Sequence, residues 1–182
     1  MGRIFLYGLL LAAALAGGAF TRQSLSRAPA VAGESPLEMN FSFFDLEGRL
    51  HRLDEWRGKV LIVNFWASWC PPCVAEMPGF VALQKELGEQ GVQFVGLITG
   101  DTQEAARAFL DRSPVNYPIL NGEPGANEWS ARLGNNTDVL PLSAVFDRGG
   151  KLIHMEYGLF KREEVLAVIR PLLAGNATAG GG

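Results

Sequence analysis

A chain of 182 residues, 48% hydrophobic and 19% charged, is long enough to bury one well-packed domain and has an ordinary globular balance. Its net charge of −3, without a basic patch or an interleaved Arg/aromatic stripe, argues against nucleic acid as a partner. Arg3 and the amino terminus form a short positive region, and Ile4 to Phe20 carries no charge. That apolar stretch, if helical, spans roughly 25 Å, slightly short of a ~30 Å hydrocarbon core. Residues 1–20 therefore read as a targeting or anchoring segment. Gly17-Gly18-Ala19 suits cleavage, and a cleaved signal peptide and an uncleaved membrane anchor both remain open. Residues 21–36, rich in Ser, Ala, Arg and Pro, read as a linker, residues 37–174 as the domain, and residues 175–182 as a disordered tail.

Within the domain, Phe41 to Leu46 and Arg49 to Leu53 flank a Glu47-Gly48 turn and predict an N-terminal hairpin. His51 falls on its second strand as a surface residue. Leu53 to Trp56 suggests a short helical turn. Val60 to Trp66 is β-branched and aromatic with almost no alternation, the pattern of a strand buried on both faces. From Cys73 the apolar positions Val74, Met77, Val81 and Leu83 change to helical spacing, and Pro78 falls inside that helix. Gly91 to Ile98 reads as a second parallel strand. Asp101 or Thr102 caps a helix over Gln103 to Arg112. Tyr117 to Leu120 predicts a short strand, and Ala126 to Leu133 a short helix. A proline directly before the apolar run Leu142 to Phe146 suggests an edge strand or a bulge. Leu152 to Tyr157 returns antiparallel, with His154 on its solvent face or near the edge, and residues 162–173 form a last helix. The β-α-β order with a long crossover fits an α/β fold with right-handed parallel connections.

The two cysteines, Cys70 and Cys73, thus lie where a buried strand ends and a helix begins. The first turn of a helix has unpaired N–H groups and a partial positive charge, and both favour a thiolate. A thiolate is the reactive form of cysteine, and a second cysteine three residues later can resolve a mixed disulfide. Pro71 and Pro72 hold the turn but remove two donors, leaving mainly the Cys73 and Val74 N–H groups to face Cys70. No Lys, Arg or His lies between the cysteines, so the thiolate is only moderately stabilised and the pair leans toward a reductant. As a structural bridge the four-residue loop would add roughly 2 kcal/mol, the low end for disulfides, so chemistry explains the pair better. Glu76, one turn beyond Cys73, is a candidate to carry the proton that Cys73 gains or loses.

Asn64-Phe65-Trp66-Ala67-Ser68-Trp69-Cys70-Pro71-Pro72-Cys73, followed by Glu76-Met77-Pro78, resembles the active site of the thioredoxin superfamily, and most closely its TlpA/ResA/DsbE-like branch. The resemblance extends over roughly residues 37–173. It implies a thioredoxin-like fold: a central mixed sheet flanked by helices, with an N-terminal β-hairpin and a central β-α insertion. It also implies a thiol-disulfide oxidoreductase whose redox-active group is the Cys70–Cys73 disulfide, with no other cofactor. Glu76 matches a glutamate linked to thiol protonation, and Asp101 is a minor candidate because the resemblance implies that a second acid can stand at this strand end near the site. Asn64 stands where thioredoxins proper carry a buried aspartate, which leaves Glu76 the better proton carrier. Pro141, after Leu140, matches a cis proline lying against the disulfide, so Trp69, Pro72, Leu140 and Pro141 are the expected substrate-binding residues. Leu142-Ser143 replaces two threonines of many relatives, so contacts with substrate are expected to differ there.

The implied partners are exported client proteins bearing disulfides or free thiols, apocytochrome c cysteines and copper-site thiols among them, and a membrane electron donor. The implied location is periplasmic or otherwise extracytoplasmic, with inner-membrane anchoring if residues 1–20 are retained, and the expected state is a monomer. Reductant, oxidant and isomerase remain alternatives for this fold, as does a redox-inactive binding module. A zinc site is disfavoured because His51 and His154 lie far from the cysteines with no ligand spacing.

Overall fold

The computed structural model describes residues 41–174. The expected targeting segment, the linker and the tail lie outside the described residues. Seven strands form one sheet in the order β2-β1-β5-β4-β3-β6-β7. They are β1 (Ser42–Asp45), β2 (Leu50–Arg52), β3 (Val60–Trp66), β4 (Val92–Ile98), β5 (Ile119–Asn121), β6 (Leu142–Phe146) and β7 (Leu152–Tyr157). The helices are α1 (Pro71–Leu87), α2 (Gln103–Leu110), α3 (Ala126–Arg132) and α4 (Arg162–Ala174). A 3-10 turn over Leu53–Trp56 follows β2, as the sequence suggested.

β3 and β4 pair in parallel, Val60 opposite Val92 through Trp66 opposite Ile98, and every residue of both strands is buried. That is why neither strand alternates: helices cover both faces. On one face α1 and α4 supply Met77, Phe80, Leu83, Val165 and Ile169 to a core that also holds Cys70 and Cys73. On the other face Trp129 of α3 packs among Phe43, Phe65 and Phe146. The β5-α3 insertion is thus part of the core. The hairpin extends the same sheet, because β1 pairs antiparallel with β5 as well as with β2.

β6 is not at an edge. It lies between β3 and β7, antiparallel to both, and Pro141 just precedes it. A proline outside the strand leaves the ladder's donors intact, so nothing forces an edge position. The irregularity in this pair falls later, between Val145 and Phe146. The helix after β4 ends at Leu110, short of the expected Arg112.

Candidate active site

β3 delivers the chain to the carboxyl end of the sheet, where the Cys70 N–H donates to the Ala67 carbonyl at 3.2 Å. Cys70 is the N-cap of α1, and Pro71 and Pro72 occupy its first positions, where missing N–H groups cost nothing. Cys70 and Cys73 form a disulfide with their Cα atoms 5.3 Å apart. The Cys73 N–H donates to Cys70 Sγ at 3.3 Å. The Val74 N–H, expected to face the same sulfur, donates instead to the Cys70 carbonyl at 3.1 Å, because α1 claims it for its first turn. Among the described residues one backbone donor therefore serves the sulfur. Cys70 is 4% exposed and Cys73 is sealed at 0%, so an incoming thiol or disulfide meets Cys70 first.

Glu76 projects inward from α1 and is 4% exposed. Its Oε1 accepts from Asn64 Nδ2 at 2.7 Å, and its Oε2 accepts from the Phe160 N–H at 2.8 Å. Burial raises its pKa to about 7, against the lowering effect of the Phe160 and Asn64 hydrogen bonds. A carboxyl titrating near neutrality can both take and give a proton in the working range. Tyr117, buried nearby, is raised by burial and then by the charge of Glu76.

The rim is stitched from three loops. Trp69 Nε1 donates to the Gly100 carbonyl at 2.9 Å, the Ser68 N–H donates to Asp101 Oδ2 at 2.7 Å, and the Gly100 N–H donates to Glu123 Oε1 at 3.0 Å. Gly100 has φ +64°, a left-handed conformation that suits glycine, and it turns its N–H and carbonyl toward different loops. The Leu140–Pro141 peptide is cis. Because Phe65 lies opposite Leu142, this peptide sits at the same end of the sheet as Ala67 to Cys70. The Gly158 N–H donates to the Pro141 carbonyl at 2.8 Å. Trp69 is 62% exposed, and Val139, Tyr157 and Leu159 are exposed apolar side chains of the segments beside Pro141.

The residues expected from sequence therefore sort as follows. Cys70, Cys73 and Glu76 share one end of α1, Trp69 and Pro72 are exposed beside them, and Leu140 is half-buried against the core holding the cysteines. Pro141 is buried. Asp101 is not the cap of α2: Thr102 is, accepting from the Ala105 N–H, and Asp101 braces Ser68 instead. Leu142 and Ser143 are both fully buried within β6, and Ser143 contacts Asn64. His51 is not a free surface residue, since Asp45 and Glu55 hold its two ring nitrogens. His154, half-buried, bonds Glu156. Among the described residues no group of three or more His, Cys, Asp or Glu is placed to hold a metal.

Asn64 as a partner of Glu76, Ser143, the Phe160 N–H and Glu123 were not anticipated. Asn64 carried a signal, a polar residue inside a seven-residue apolar run. The Phe160 contact is made by backbone and leaves no trace in side-chain pattern.

A family profile described as Redoxin matches residues 26–169. The chain is 32% identical over 155 residues to "Thiol-disulfide oxidoreductase ResA" of Halalkalibacterium halodurans, covering 84% of this chain and 82% of that one. It is also 32% identical over 126 residues to the protein of the same name from Geobacillus thermodenitrificans, covering 69% and 70%. Among solved structures it is similar to a thiol:disulfide interchange protein of the thioredoxin family from Chlorobium tepidum, with TM-score 0.66, 25% identity, and 73% and 92% of the two chains covered. A thioredoxin-related protein from Neisseria meningitidis serogroup B gives TM-score 0.64 at 26% identity, covering 72% and 98%.

Proposed function

The chain belongs to the Redoxin family, as a thiol-disulfide oxidoreductase of the ResA type, and from that premise we propose that it reduces disulfides of client proteins outside the cytoplasm. In the reduced enzyme the Cys70 thiolate attacks one sulfur of a client disulfide, forming a mixed disulfide and expelling the client's other sulfur as a thiolate. Cys73, sealed beneath, gives its proton to the Glu76 carboxylate and attacks Cys70 Sγ. The Cys70–Cys73 disulfide closes, the second client sulfur leaves, and two electrons have passed to the client. Glu76 returns its proton to a leaving thiolate. A membrane electron donor then supplies two electrons to reopen the disulfide. No further cofactor enters this scheme, and the enzyme acts as a monomer, held at the membrane if residues 1–20 are retained.

The observation that carries the reading is the unequal burial of the two sulfurs, Cys70 at 4% and Cys73 at 0%, at the start of one helix. The reductive direction is supported by the single N–H donor to Cys70 Sγ. A thiolate so sparsely stabilised makes a poor oxidant. Trp69, Pro72 and the half-buried Leu140 receive the client segment, and the buried Pro141 sets the course of the chain after Leu140.

Trapping tests the proposal. Cys73→Ser should retain clients disulfide-linked to Cys70, and the link should vanish in Cys70→Ser. Equilibration with glutathione should place the potential nearer the thioredoxin value of about −270 mV than the strong-oxidant value of about −120 mV. A potential at the oxidising end would overturn the direction, and an unlinked Cys73→Ser protein would overturn the mechanism.

A further inference from the structure

Asn64 interrupts β3, a strand otherwise apolar and buried along its whole length. It is 2% exposed, and its amide spends both hydrogens: one on Glu76 Oε1 at 2.7 Å, the other on Ser143 Oγ at 3.1 Å. Its own Oδ1 is buried with no hydrogen-bond partner among the described residues. A buried amide left half-satisfied costs stability, and fold alone would be served by an apolar residue in this apolar strand. We propose that Asn64 is a positioning residue for the active-site proton: seated by its bond to Ser143, its amide donates the one hydrogen bond that holds Glu76 Oε1 as an acceptor one turn from Cys73. This deepens the proposed function and rests on its assignment of Glu76 as the proton carrier.

The groups around Glu76 make the argument specific. From β3 comes the Asn64 amide, from β6 Ser143 acting through it, and from the segment before α4 the Phe160 N–H. Every one of these contacts to Glu76 is a donor, and a donor favours the ionised carboxyl. Among the described residues the charge of Glu76 is felt at Tyr117, whose hydroxyl burial holds neutral. Among the described residues Glu76 makes no ion pair. Opposition to burial therefore comes from two hydrogen bonds, and only the Asn64 bond is a side chain's. An aspartate at 64 would set a second carboxylate against the first, and two such groups share one proton. A leucine would remove the donor and keep the branched shape of the side chain.

The test follows the Glu76 carboxyl directly by ¹³C NMR titration, alongside the pH profile of client reduction. Asn64→Leu should move the Glu76 midpoint alkaline by about one pH unit, a tenfold change in its ionisation constant, and carry the activity profile with it. Ser143→Ala should move it the same way by less, because Asn64 keeps its place only partly. Asn64→Asp should split the titration into two steps. A folded Asn64→Leu protein whose Glu76 midpoint stays put would overturn the proposal, even if activity fell. Should Asn64→Leu fail to fold, Ser143→Ala and Asn64→Asp decide by the same readout. Glu76→Gln separates the two levels: if it leaves the pH profile unchanged, Glu76 is not the proton carrier, whereas the NMR shift judges Asn64 by itself.

Discussion

Asp101 Oδ2 accepts the Ser68 N–H at 2.7 Å, joining the loop after β4 to the loop that enters the Cys70–Cys73 turn. The same carboxylate takes the Thr102 N–H on Oδ1 at 2.8 Å, so one side chain closes both loops. Asp101→Ala should cost about 1–2 kcal/mol in urea denaturation, since a charge-assisted bond is lost at a half-exposed site. It should also slow client reduction several-fold by loosening the approach to Cys70. Full activity in a protein of lowered stability would show that the brace serves the fold alone.

Trp69 stands 62% exposed while its indole N–H is tied to Gly100. A large aromatic held rigid in solvent gives up little on folding and much on docking. Trp69→Ala should change stability by less than about 1 kcal/mol and lower kcat/KM for a protein disulfide on the order of tenfold. Reaction with dithiothreitol, which needs no docking surface, should fall far less. Equal losses for both substrates would remove Trp69 from client binding.

Glu76 gives a stability signature with a definite sign. Its folded value of about 7 lies above its ordinary value of 4.5, so between these limits the native state binds more proton than the unfolded chain. Native stability therefore falls as pH rises through that window and levels off above it. Glu76→Gln does not titrate, so its stability relative to the parent should grow by about 3 kcal/mol from pH 4.5 to 7. Denaturant melts of the oxidised proteins at pH 4.5 and 8 measure it. A difference independent of pH would mean that Glu76 is not held in the raised state.

Much of this could be read from residues alone, and the reason is periodicity. β3 and β4 lie bare as apolar runs, α1 starts where spacing changes at Cys73, and the hairpin surrounds Gly48. What stayed hidden depends on register between distant segments. Ser143 reaches Asn64 because β6 pairs with β3 residue for residue across a long span of chain. Phe160 contributes an N–H that any residue would carry, and Asp101 and Thr102 were equal as caps until the loop's path decided between them. Pro141 misled on the edge position because it lies one residue outside its strand.

The hairpin carries a second titrating centre. His51 places Nδ1 2.6 Å from Glu55 Oε1 and Nε2 3.1 Å from Asp45 Oδ2, with its ring stacked on Trp56. Only the doubly protonated ring donates to both carboxylates. The Glu55 bond, with that to Asp45, raises the His51 pKa above its ordinary 6.5 despite partial burial. Burial pushes Asp45 up, but hydrogen bonds from the Arg49 backbone and side chain and from His51 outweigh it and hold Asp45 well below the usual carboxylate range. Asp45 thus stays ionised across the neutral range, and the titrating partner is His51. A histidine raised in the fold contributes stability that is complete below its unfolded value and lost as pH rises through its folded value. Going alkaline from pH 6 should therefore weaken the β1–β2 hairpin by about 1 kcal/mol, seen as faster amide exchange at Phe43 and Leu53 after correction for the intrinsic pH dependence of exchange. His51→Gln keeps one donor but cannot titrate, and it should abolish that pH dependence while leaving the Cys70–Cys73 exchange rate unchanged. Persistence of the alkaline loosening in His51→Gln would place its origin elsewhere.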